Sequence, residues 1–221
     1  MKTVETIKEI DFFDELNEEQ LKQLSSISNV YQYPKKSILN YESDVNTNIL
    51  FLISGLIKIY KVDKFNNEIF LYHIHEKNMI SELSSIRQES IYCFSNSEFI
   101  EDSVILSIDF KKFNELFLSK NILTMKFMEE LLEKSHQLQC IINRELVFDA
   151  TAKVAFMLDN DLDMFNKLKR QEVSFMLHIQ PETLSRVLKR LKRNGIIEII
   201  NSKVSIEDKE QLSSIFRGVG V

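Results

Sequence analysis

The hydrophobic pattern of the first half of the chain changes after a short N-terminal segment. The first twenty-odd residues carry apolar positions at helical spacing among acidic and polar neighbours, which predicts one or two short amphipathic helices. From Val30 to about Ile108 the apolar residues form short β-rich runs, with turn signals at Ser54-Gly55 and Asn66-Asn67 at hairpin-like spacing. The runs are Val30–Tyr33, Ile49–Ile53, Leu56–Val62, Glu68–Ile74, Tyr92–Phe94 and Ser103–Ile108. This pattern predicts an antiparallel barrel or jelly roll of about eight strands.

Beyond about Asp109 the hydrophobic period becomes helical. A short helix is predicted at Phe110–Phe117, followed by a long one from about Ile122 to Phe148 that contains no glycine or proline. The apolar positions of the long helix are Leu123, Phe127, Leu131, Leu138, Ile142 and Leu146, with Met128, Leu132 and Ile141 beside them. Because this stripe is wider than one partner needs, we expect one side to pack on the barrel and the other on a second subunit. Core packing within a single subunit is the alternative.

The last third of the chain carries the pattern of a helix-turn-helix. Asp149 is placed to cap a helix from about Ala150, and two further short helices are predicted at Leu168–Leu177 and Pro181–Asn194. The tight turn between them holds His178, one of the few non-glycine residues that tolerate the left-handed conformation. Gly195 ends the second helix, and two apolar runs around Asn201-Ser202 then predict a wing hairpin over residues 196–206. The chain is thus predicted to divide into residues 1–118, 119–148 and 149–221.

Composition narrows the class of protein. Hydrophobic residues at 44% and charged residues at 28% are typical of a globular chain. No window approaches the 18 or so uninterrupted apolar residues of a membrane helix, and the N-terminus is acidic, so we expect a cytoplasmic protein without membrane contact. The 2 cysteines are too few for a disulfide framework or an all-cysteine iron–sulfur cluster.

Charge is divided unevenly along the chain. The net charge is −5, but residues 1–150 carry 16 basic and 24 acidic residues, whereas residues 151–221 carry 12 and 9. The basic residues Arg186, Lys189, Arg190, Lys192 and Arg193 fall within eight consecutive positions. Such a density favours a polyanionic partner, with a solvated helix face as the alternative.

Several motifs together resemble the Crp/Fnr family of regulators. They are Arg170-Gln171-Glu172-Val173, Pro181-Glu182-Thr183-Leu184-Ser185-Arg186, the stretch from Leu188 to Gly195-Ile196, Tyr33-Pro34-Lys35 and Phe51-Leu52-Ile53-Ser54-Gly55. The order of barrel, long helix and winged helix-turn-helix is similar over essentially the whole chain. The resemblance implies an α+β fold with a cyclic-nucleotide-binding-like β-barrel, a dimerisation helix and a DNA-binding domain. It also implies a homodimeric transcription regulator, not an enzyme, whose partners are double-stranded DNA and RNA polymerase.

The resemblance also implies roles for residues of the second helix. Glu182, Ser185 and Arg186 are expected to read base edges in the major groove, where a guanidinium can donate two bonds to guanine. Their arrangement is closer to the Fnr type than to the cyclic-AMP receptor type, which implies an inverted repeat of TTGA-like half-sites about one helical turn apart. Phosphate contacts are expected from Gln171, Thr183, Lys189 and Lys203.

The cyclic-nucleotide motif of the family is only half present. Met79-Ile80-Ser81-Glu82-Leu83-Ser84 retains the glutamate at Glu82 but places Ser81 at the glycine position, and Tyr92 stands where the family's arginine would be. A cyclic phosphate would therefore lack its paired cation. We expect no response to cyclic AMP and a barrel that senses another signal, with an effector-independent regulator as the alternative.

A haem-dependent sensor of gas or nitrosative stress is a second alternative within the family. His73-Ile74-His75 and His136 are the candidate ligands, although ordinary surface histidines are the simpler interpretation. The candidate effector pocket, whose members are also explained as core, consists of Phe70, Tyr72, Glu82, Phe94, Phe127, Met128 and Leu131. We expect no metal site and, without an N-terminal cysteine group, no iron–sulfur cluster. A cupin-like metalloenzyme and a ligand-binding adaptor are the alternatives from other classes.

Overall fold

A computed structural model describes residues 2–83, 85 and 89–217 of the chain. It forms two compact units, Met1–His136 and Gln137–Val221. The division between them falls within the long helix. Ser84, which belongs to the half-present nucleotide motif, lies outside the described residues.

The first unit begins with the short helices that the sequence predicts. They are α1 (Lys2–Lys8), a 3-10 turn at Asp11–Phe13, and α2 (Glu18–Ser26). Asn17 caps α2, because its side chain accepts from the Gln20 amide while the Gln20 side chain accepts from the Asn17 amide. The apolar faces of these helices are buried in one cluster with strand and helix residues of the barrel.

Short antiparallel strands form the body of the first unit. In order they are β1 (Ser28–Tyr33), β2 (Ile38–Asn40), β3 (Val45–Asn46), β4 (Asn48–Ser54), β5 (Leu56–Val62), β6 (Glu68–His75), β7 (Ile91–Tyr92), β8 (Asn96–Phe99) and β9 (Ser103–Asp109). They form sheets β1-β9-β4, β2-β8-β5-β6 and β3-β7. The predicted runs are all represented. The sequence pattern missed β2, β3 and β8, because strands of two to four residues are too short to show an alternation.

The turn expected at Ser54-Gly55 is not a hairpin. β4 pairs with β9, whereas β5 pairs with β6 and β8, so the chain passes from one sheet to the other at Gly55. Gly55 has φ +103, and a Cβ there would overlap Ser103, so the corner requires glycine. The second predicted turn is confirmed, since Asn66 has φ 68 in the loop that joins the paired strands β5 and β6.

Helices follow the barrel. α3 (Phe110–Leu116) is capped by Asp109, whose side chain accepts from the Lys112 amide. α4 (Thr124–Ile142) continues into a π-helical turn at Asn143–Val147. The predicted long helix is therefore confirmed, and its last turn is widened. Leu123 and Phe127 are buried with the N-terminal helices, which confirms that one side packs on the barrel unit.

The second unit contains the predicted winged helix-turn-helix. Its elements are α5 (Ala150–Asn160), α6 (Leu162–Lys167), α7 (Arg170–Met176), α8 (Pro181–Arg193), β10 (Ile197–Ile200), β11 (Lys203–Ile206) and α9 (Lys209–Arg217). Asp149 caps α5 as expected, because its side chain accepts from the amides of Thr151 and Ala152. Among the described residues, no helix is both long and apolar enough to span a bilayer.

Candidate nucleic-acid interface

Local geometry fixes the two helices of the helix-turn-helix. The turn between α7 and α8 has its left-handed residue at His178, with φ 52, as the sequence predicts. The amides of His178 and Ile179 donate to carbonyls of α7 at 3.1 Å. Pro181 occupies the first turn of α8, where its missing N–H costs nothing. Buried residues on both helices then hold α8 against the rest of the unit.

One face of α8 is buried and the opposite face is exposed. Leu184, Val187, Leu188 and Leu191 are buried. The exposed side chains of α8 include Glu182, Ser185, Arg186, Lys189, Arg190 and Arg193. The side chains of Glu182, Ser185 and Arg186 have no hydrogen bond or ion pair with any group in the described part of the chain. Their donors and acceptors are available to a partner.

A groove of about 980 Å³ runs along this exposed face. It is lined by Asp149, Ala150, Thr151, Pro181, Glu182, Thr183, Ser185, Arg186, Val187, Lys189, Arg190 and Arg193. Five of the seven residues predicted to contact DNA therefore lie in one groove. Gln171, on α7, and Lys203, at the start of β11, are exposed but do not line it.

The groove also contains residues that the sequence analysis did not select. Asp149, Ala150 and Thr151 come from the N-terminus of α5, and the hydroxyl of Thr151 accepts a hydrogen bond from the Arg190 guanidinium. The sequence analysis named Arg190 and Arg193 as part of the basic cluster and Asp149 as a helix cap, but it did not predict that these segments meet. Their meeting is a tertiary contact between segments about forty residues apart in sequence, which local pattern does not reveal.

The wing hairpin lies beyond the end of α8. Gly195 has φ 71 where α8 ends, and β10 pairs with β11 in antiparallel register from Ile197 opposite Ile206 to Ile200 opposite Lys203. Asn201 and Ser202 form the two-residue turn with φ 49 and 67, the signs that a type I′ turn requires. Lys203 follows that turn directly, so the predicted phosphate contact lies at the tip of the wing.

A charged cluster joins the end of the long helix to the helix-turn-helix. Glu145, in the π-helical turn, accepts from His178 Nδ1 at 3.0 Å, from Lys153 Nζ at 3.2 Å and from Arg144 Nε at 2.7 Å. Burial by itself raises the pKa of Glu145, but the hydrogen bonds from His178 and Arg144 outweigh it and lower that pKa to about 2. The turn of the helix-turn-helix is thereby connected to the segment that precedes α5.

The barrel interior holds a second, much smaller candidate site. Its cavity measures about 20 Å³, the space of a single water molecule. It is lined by Asn40, Asn46, Ile59, Ile80, Ser81, Glu82, Ile91, Cys93, Ser95 and Ser97. Glu82 accepts from the Tyr72 hydroxyl at 2.8 Å and from the Phe94 amide at 3.2 Å. Burial, reinforced by the charge of Glu82, raises the pKa of Tyr72, which keeps the hydroxyl a donor to that carboxylate.

Two positions of the nucleotide motif have other partners in the barrel. Ser81, which stands at the glycine position, accepts a hydrogen bond from the Leu50 amide at 2.9 Å. Tyr92, which stands at the arginine position, donates to the Ser43 hydroxyl at 2.9 Å. Both side chains are therefore engaged with the barrel's own groups.

The structure brings together only part of the predicted effector pocket. Tyr72, Glu82 and the backbone of Phe94 are in contact. Phe70 is buried against His73, with ring centroids 4.8 Å apart. Phe127 and Leu131 pack in the cluster formed with the N-terminal helices, and Met128 is exposed. Of the seven predicted residues, Glu82 is the one that lines the small cavity.

The candidate histidine ligands lie on the described part of the barrel unit. The rings of His73 and His75 have centroids 6.4 Å apart on β6, and His136 lies on α4. Within residues 2–83, 85 and 89–217, no group of three or more His, Cys, Asp or Glu side chains is arranged to hold a metal ion.

Known proteins share both the domain and the fold. Residues 155–215 match the profile of the Crp-like helix-turn-helix domain family. The cAMP-activated global transcriptional regulator CRP of Pasteurella multocida is 23% identical over 183 residues, covering 76% of this chain and 85% of that protein. The anaerobic regulatory protein of Bacillus subtilis is 24% identical over 202 residues, covering 86% of this chain and 84% of its own.

The solved structure of a mutant of CooA from Carboxydothermus hydrogenoformans has the same fold. Its TM-score is 0.67 at 21% identity, with 86% of this chain and 88% of that chain covered. The chain carries a Crp-like helix-turn-helix domain, and over most of its length it is similar to Crp/Fnr regulators. These similarities support a transcription regulator with a cyclic-nucleotide-binding-like fold, and the relatives themselves are regulators, not enzymes. The predicted family and α+β fold class are confirmed, and the relatives favour neither a metalloenzyme nor an adaptor.

Proposed function

We propose that this Crp/Fnr regulator is a homodimer that binds an inverted repeat in double-stranded DNA and responds to a signal other than cyclic AMP. The observation that carries the proposal is the groove of about 980 Å³ along the exposed face of α8. An exposed helix face with a dense positive charge matches the width and the charge of a major groove. DNA binding is the activity that the helix-turn-helix domain supports.

In this proposal the start of α8 reads bases. Arg186 donates two bonds to a guanine, and Glu182 accepts from a cytosine amino group, with Ser185 contacting a neighbouring base. TTGA-like half-sites suit this set. Thr183 and Lys189 contact phosphates from within the groove, and Gln171 and Lys203 do so from outside it.

Dimerisation is proposed through the far side of the long helix. Along α4 and the turn after it, Leu132 is 68% exposed, Leu138 56% and Leu146 81%. Met128 and Ile142 are also exposed, so an apolar stripe continues over several turns. Pairing this stripe with its copy would bury it and would place two reading helices on successive half-sites. The same assembly would act in the cytoplasm and present DNA-bound protein to RNA polymerase.

The signal is proposed to act through the barrel without a cyclic nucleotide. Glu82 is already hydrogen-bonded to Tyr72 and Phe94, and Tyr92 occupies the place of the cation that a cyclic phosphate needs. A signal that changes the packing of the paired α4 helices would then reorient the two copies of α8.

The test is fluorescence anisotropy with a labelled duplex that carries a TTGA-like inverted repeat, against a scrambled duplex of equal length. Arg186→Ala should lose about 1–3 kcal/mol of discrimination for each base contact removed. Lys209→Ala, which removes an equal charge from an exposed position outside the groove, should keep the wild-type discrimination. Equal discrimination by Arg186→Ala and the wild type would contradict the assignment.

A further inference from the structure

The wing is a two-stranded sheet with little support of its own. β10 and β11 are each four residues long, and among the described strands they pair only with each other. An isolated hairpin of this size is marginally stable in water. Its position must therefore be set by contacts with the helices of the same unit.

Asn166, on α6, holds the outer edge of β11. Its Nδ2 donates to the Val204 carbonyl at 2.9 Å, and its Oδ1 accepts from the Val204 amide at 2.8 Å. One side-chain amide thus satisfies both backbone groups of a residue, as a neighbouring strand would. Val204 itself is buried, so the middle of β11 is fixed by both its backbone and its side chain.

Arg170, at the start of α7, holds the turn of the wing. Its Nη2 donates to the Ser202 carbonyl at 2.7 Å, and its guanidinium lies 4.6 Å from the ring centroid of Phe165. Its Nη1 is buried without a partner in the described part of the chain. The guanidinium of Arg170 is therefore directed at the wing, although the residue is partly exposed and lies in the basic half of the protein.

The opposite edge of the wing has its own anchor. Lys192, in the last turn of α8, donates from Nζ to the Ile199 carbonyl on β10 at 3.3 Å. Side chains from three helices therefore hold the hairpin at its two edges and at its turn. Lys203 lies between Ser202 and Val204, which are the two residues anchored by Arg170 and Asn166. Its own side chain is exposed.

We infer that Asn166 and Arg170 are positioning residues that fix the wing so that Lys203 meets a DNA phosphate. This inference rests on the proposed function, in which Lys203 makes that contact. A fixed backbone on both sides of Lys203 leaves only the side chain to be ordered when DNA binds. Asn166 is uncharged, and the Arg170 guanidinium is engaged by the Ser202 carbonyl and the Phe165 ring, so their effect on phosphate binding passes through the position of the wing.

The test measures the salt dependence of DNA binding by the full chain. The logarithm of the affinity falls linearly with the logarithm of salt concentration, by about 0.9 for each phosphate contact on B-DNA. In a homodimer, Lys203→Ala should reduce this slope by about 1.8, since two contacts are lost. Asn166→Ala should reduce it by a similar amount while the preference for the inverted repeat is kept. The double variant of Asn166→Ala with Lys203→Ala should reduce the slope no more than either single variant does.

Two further variants separate positioning from general damage. Asn160→Ala removes an exposed asparagine that bonds a carbonyl of its own helix, and it should leave the slope unchanged. Arg170→Gln loosens only the turn of the wing, and it should reduce the slope in the same direction as Asn166→Ala. It serves as the measured variant if Asn166→Ala does not fold by circular dichroism.

The outcomes distinguish a failure of the proposed DNA binding from a failure of the positioning role of Asn166 and Arg170. A wild-type protein whose affinity does not depend on salt would contradict the proposed function. A salt-dependent wild type with an unchanged slope in Lys203→Ala, or in both Asn166→Ala and Arg170→Gln, would overturn the positioning inference alone. Additive reductions in the Asn166 and Lys203 double variant would also overturn it, because they would mean that the two residues act separately.

Discussion

The first unit (Met1–His136), here called the barrel unit, and the second unit (Gln137–Val221), here called the reading unit, differ in whether their polar groups bond one another or face solvent. In the barrel, interior polar groups bond one another: Asn46 donates to Asn40 at 2.8 Å, and the Asn40 amide donates to Ser97 at 3.1 Å. The cavity they leave measures about 20 Å³. In the reading unit, the polar groups of α8 face an open groove of about 980 Å³ and carry a dense positive charge.

This difference follows from the partners that each kind of surface can take. A polyanion is bound from outside, so its recognition groups can stay exposed on a rigid helix before any partner arrives. A small ligand is bound by enclosure, and a barrel whose polar groups already bond each other gives up those bonds when it admits one. The groove beside α8 is therefore open before a partner arrives, whereas the barrel, in the part that the structure describes, is closed around a small cavity.

The largest expected effect tests whether tight binding to the inverted repeat requires two copies of the chain paired through α4. Leu138→Glu places a charge in the exposed apolar stripe and should prevent pairing of the long helices, because a buried carboxylate without a partner is costly. Since a monomer engages one half-site at a time, affinity for the inverted repeat should fall by roughly 10²–10⁴-fold. Sedimentation measures the assembly and anisotropy the affinity. Gln137→Glu adds the same charge at a half-exposed position on the side of α4 away from the stripe, and it should stay dimeric. A dimeric Leu138→Glu would refute this interface.

Two glycines, one in each unit, give the next largest effect. Gly55→Ala should destabilise the barrel by about 2 to 4 kcal/mol, because its φ of +103 disfavours a side chain and the new Cβ would overlap Ser103. Gly195 has φ +71, but no atom of the described residues lies within 4 Å of the new Cβ, so Gly195→Ala should cost only about 1 kcal/mol. Urea unfolding of both variants measures the difference. Equal losses would mean that the backbone conformation, and not the close approach to Ser103, limits position 55.

Much of the fold followed from the sequence, and the exceptions have a common cause. The long helix, the strands of six or more residues and the turn at His178 were predicted because each has a local signal in period or turn chemistry. The corner at Gly55 was predicted as a hairpin because a turn residue does not reveal which sheet the next strand joins. Asn166, which bonds the wing from α6, and Glu145, beside the turn, gave no signal, since their partners lie 38 and 33 residues away.

The pH dependence of stability tests the charged cluster around Glu145, which lies within the second unit. The pKa of Glu145 is lowered from 4.5 to about 2, so its ion pairs stabilise the folded protein above pH 4.5, and this stability is lost as the pH falls toward 2. Glu145→Gln should therefore lower the free energy of unfolding at pH 7 by on the order of 2 kcal/mol. The difference from the wild type should shrink as the pH falls below about 4.5.

Urea unfolding at pH 7, 5 and 4, roughly spanning the start of this window, measures that difference. Glu198→Gln is the matched control, because Glu198 is an exposed glutamate on β10 and its loss should change stability little at any of these values. A constant difference between Glu145→Gln and the wild type across this range would mean that shape, and not charge, is what Glu145 contributes.

The smallest expected effect is the response of the closed barrel to cyclic AMP. A ligand that binds the folded state raises its stability in proportion to RT ln(1 + [L]/Kd), so even weak binding shifts the thermal midpoint at high ligand concentration. We expect no shift. Glu82 already accepts from Tyr72 and Phe94, Tyr92 bonds Ser43 where a phosphate would need a cation, and the Ser81 hydroxyl is held by the Leu50 amide.

The measurement is the thermal midpoint of the full chain with increasing cyclic AMP, with linear AMP as the control for nonspecific ionic effects. Tyr72→Phe sharpens the test, because it removes one bond to Glu82 and frees an acceptor on the carboxylate without adding a cation. If cyclic AMP fails to bind mainly because its phosphate has no cation to pair with, the thermal midpoint of this variant should also stay unchanged. If Tyr72→Phe shifts with cyclic AMP but not with linear AMP, while the wild type does not shift, the Tyr72 bond, and not the absent cation, keeps the nucleotide out. A shift of the wild type with cyclic AMP would contradict the closed barrel itself.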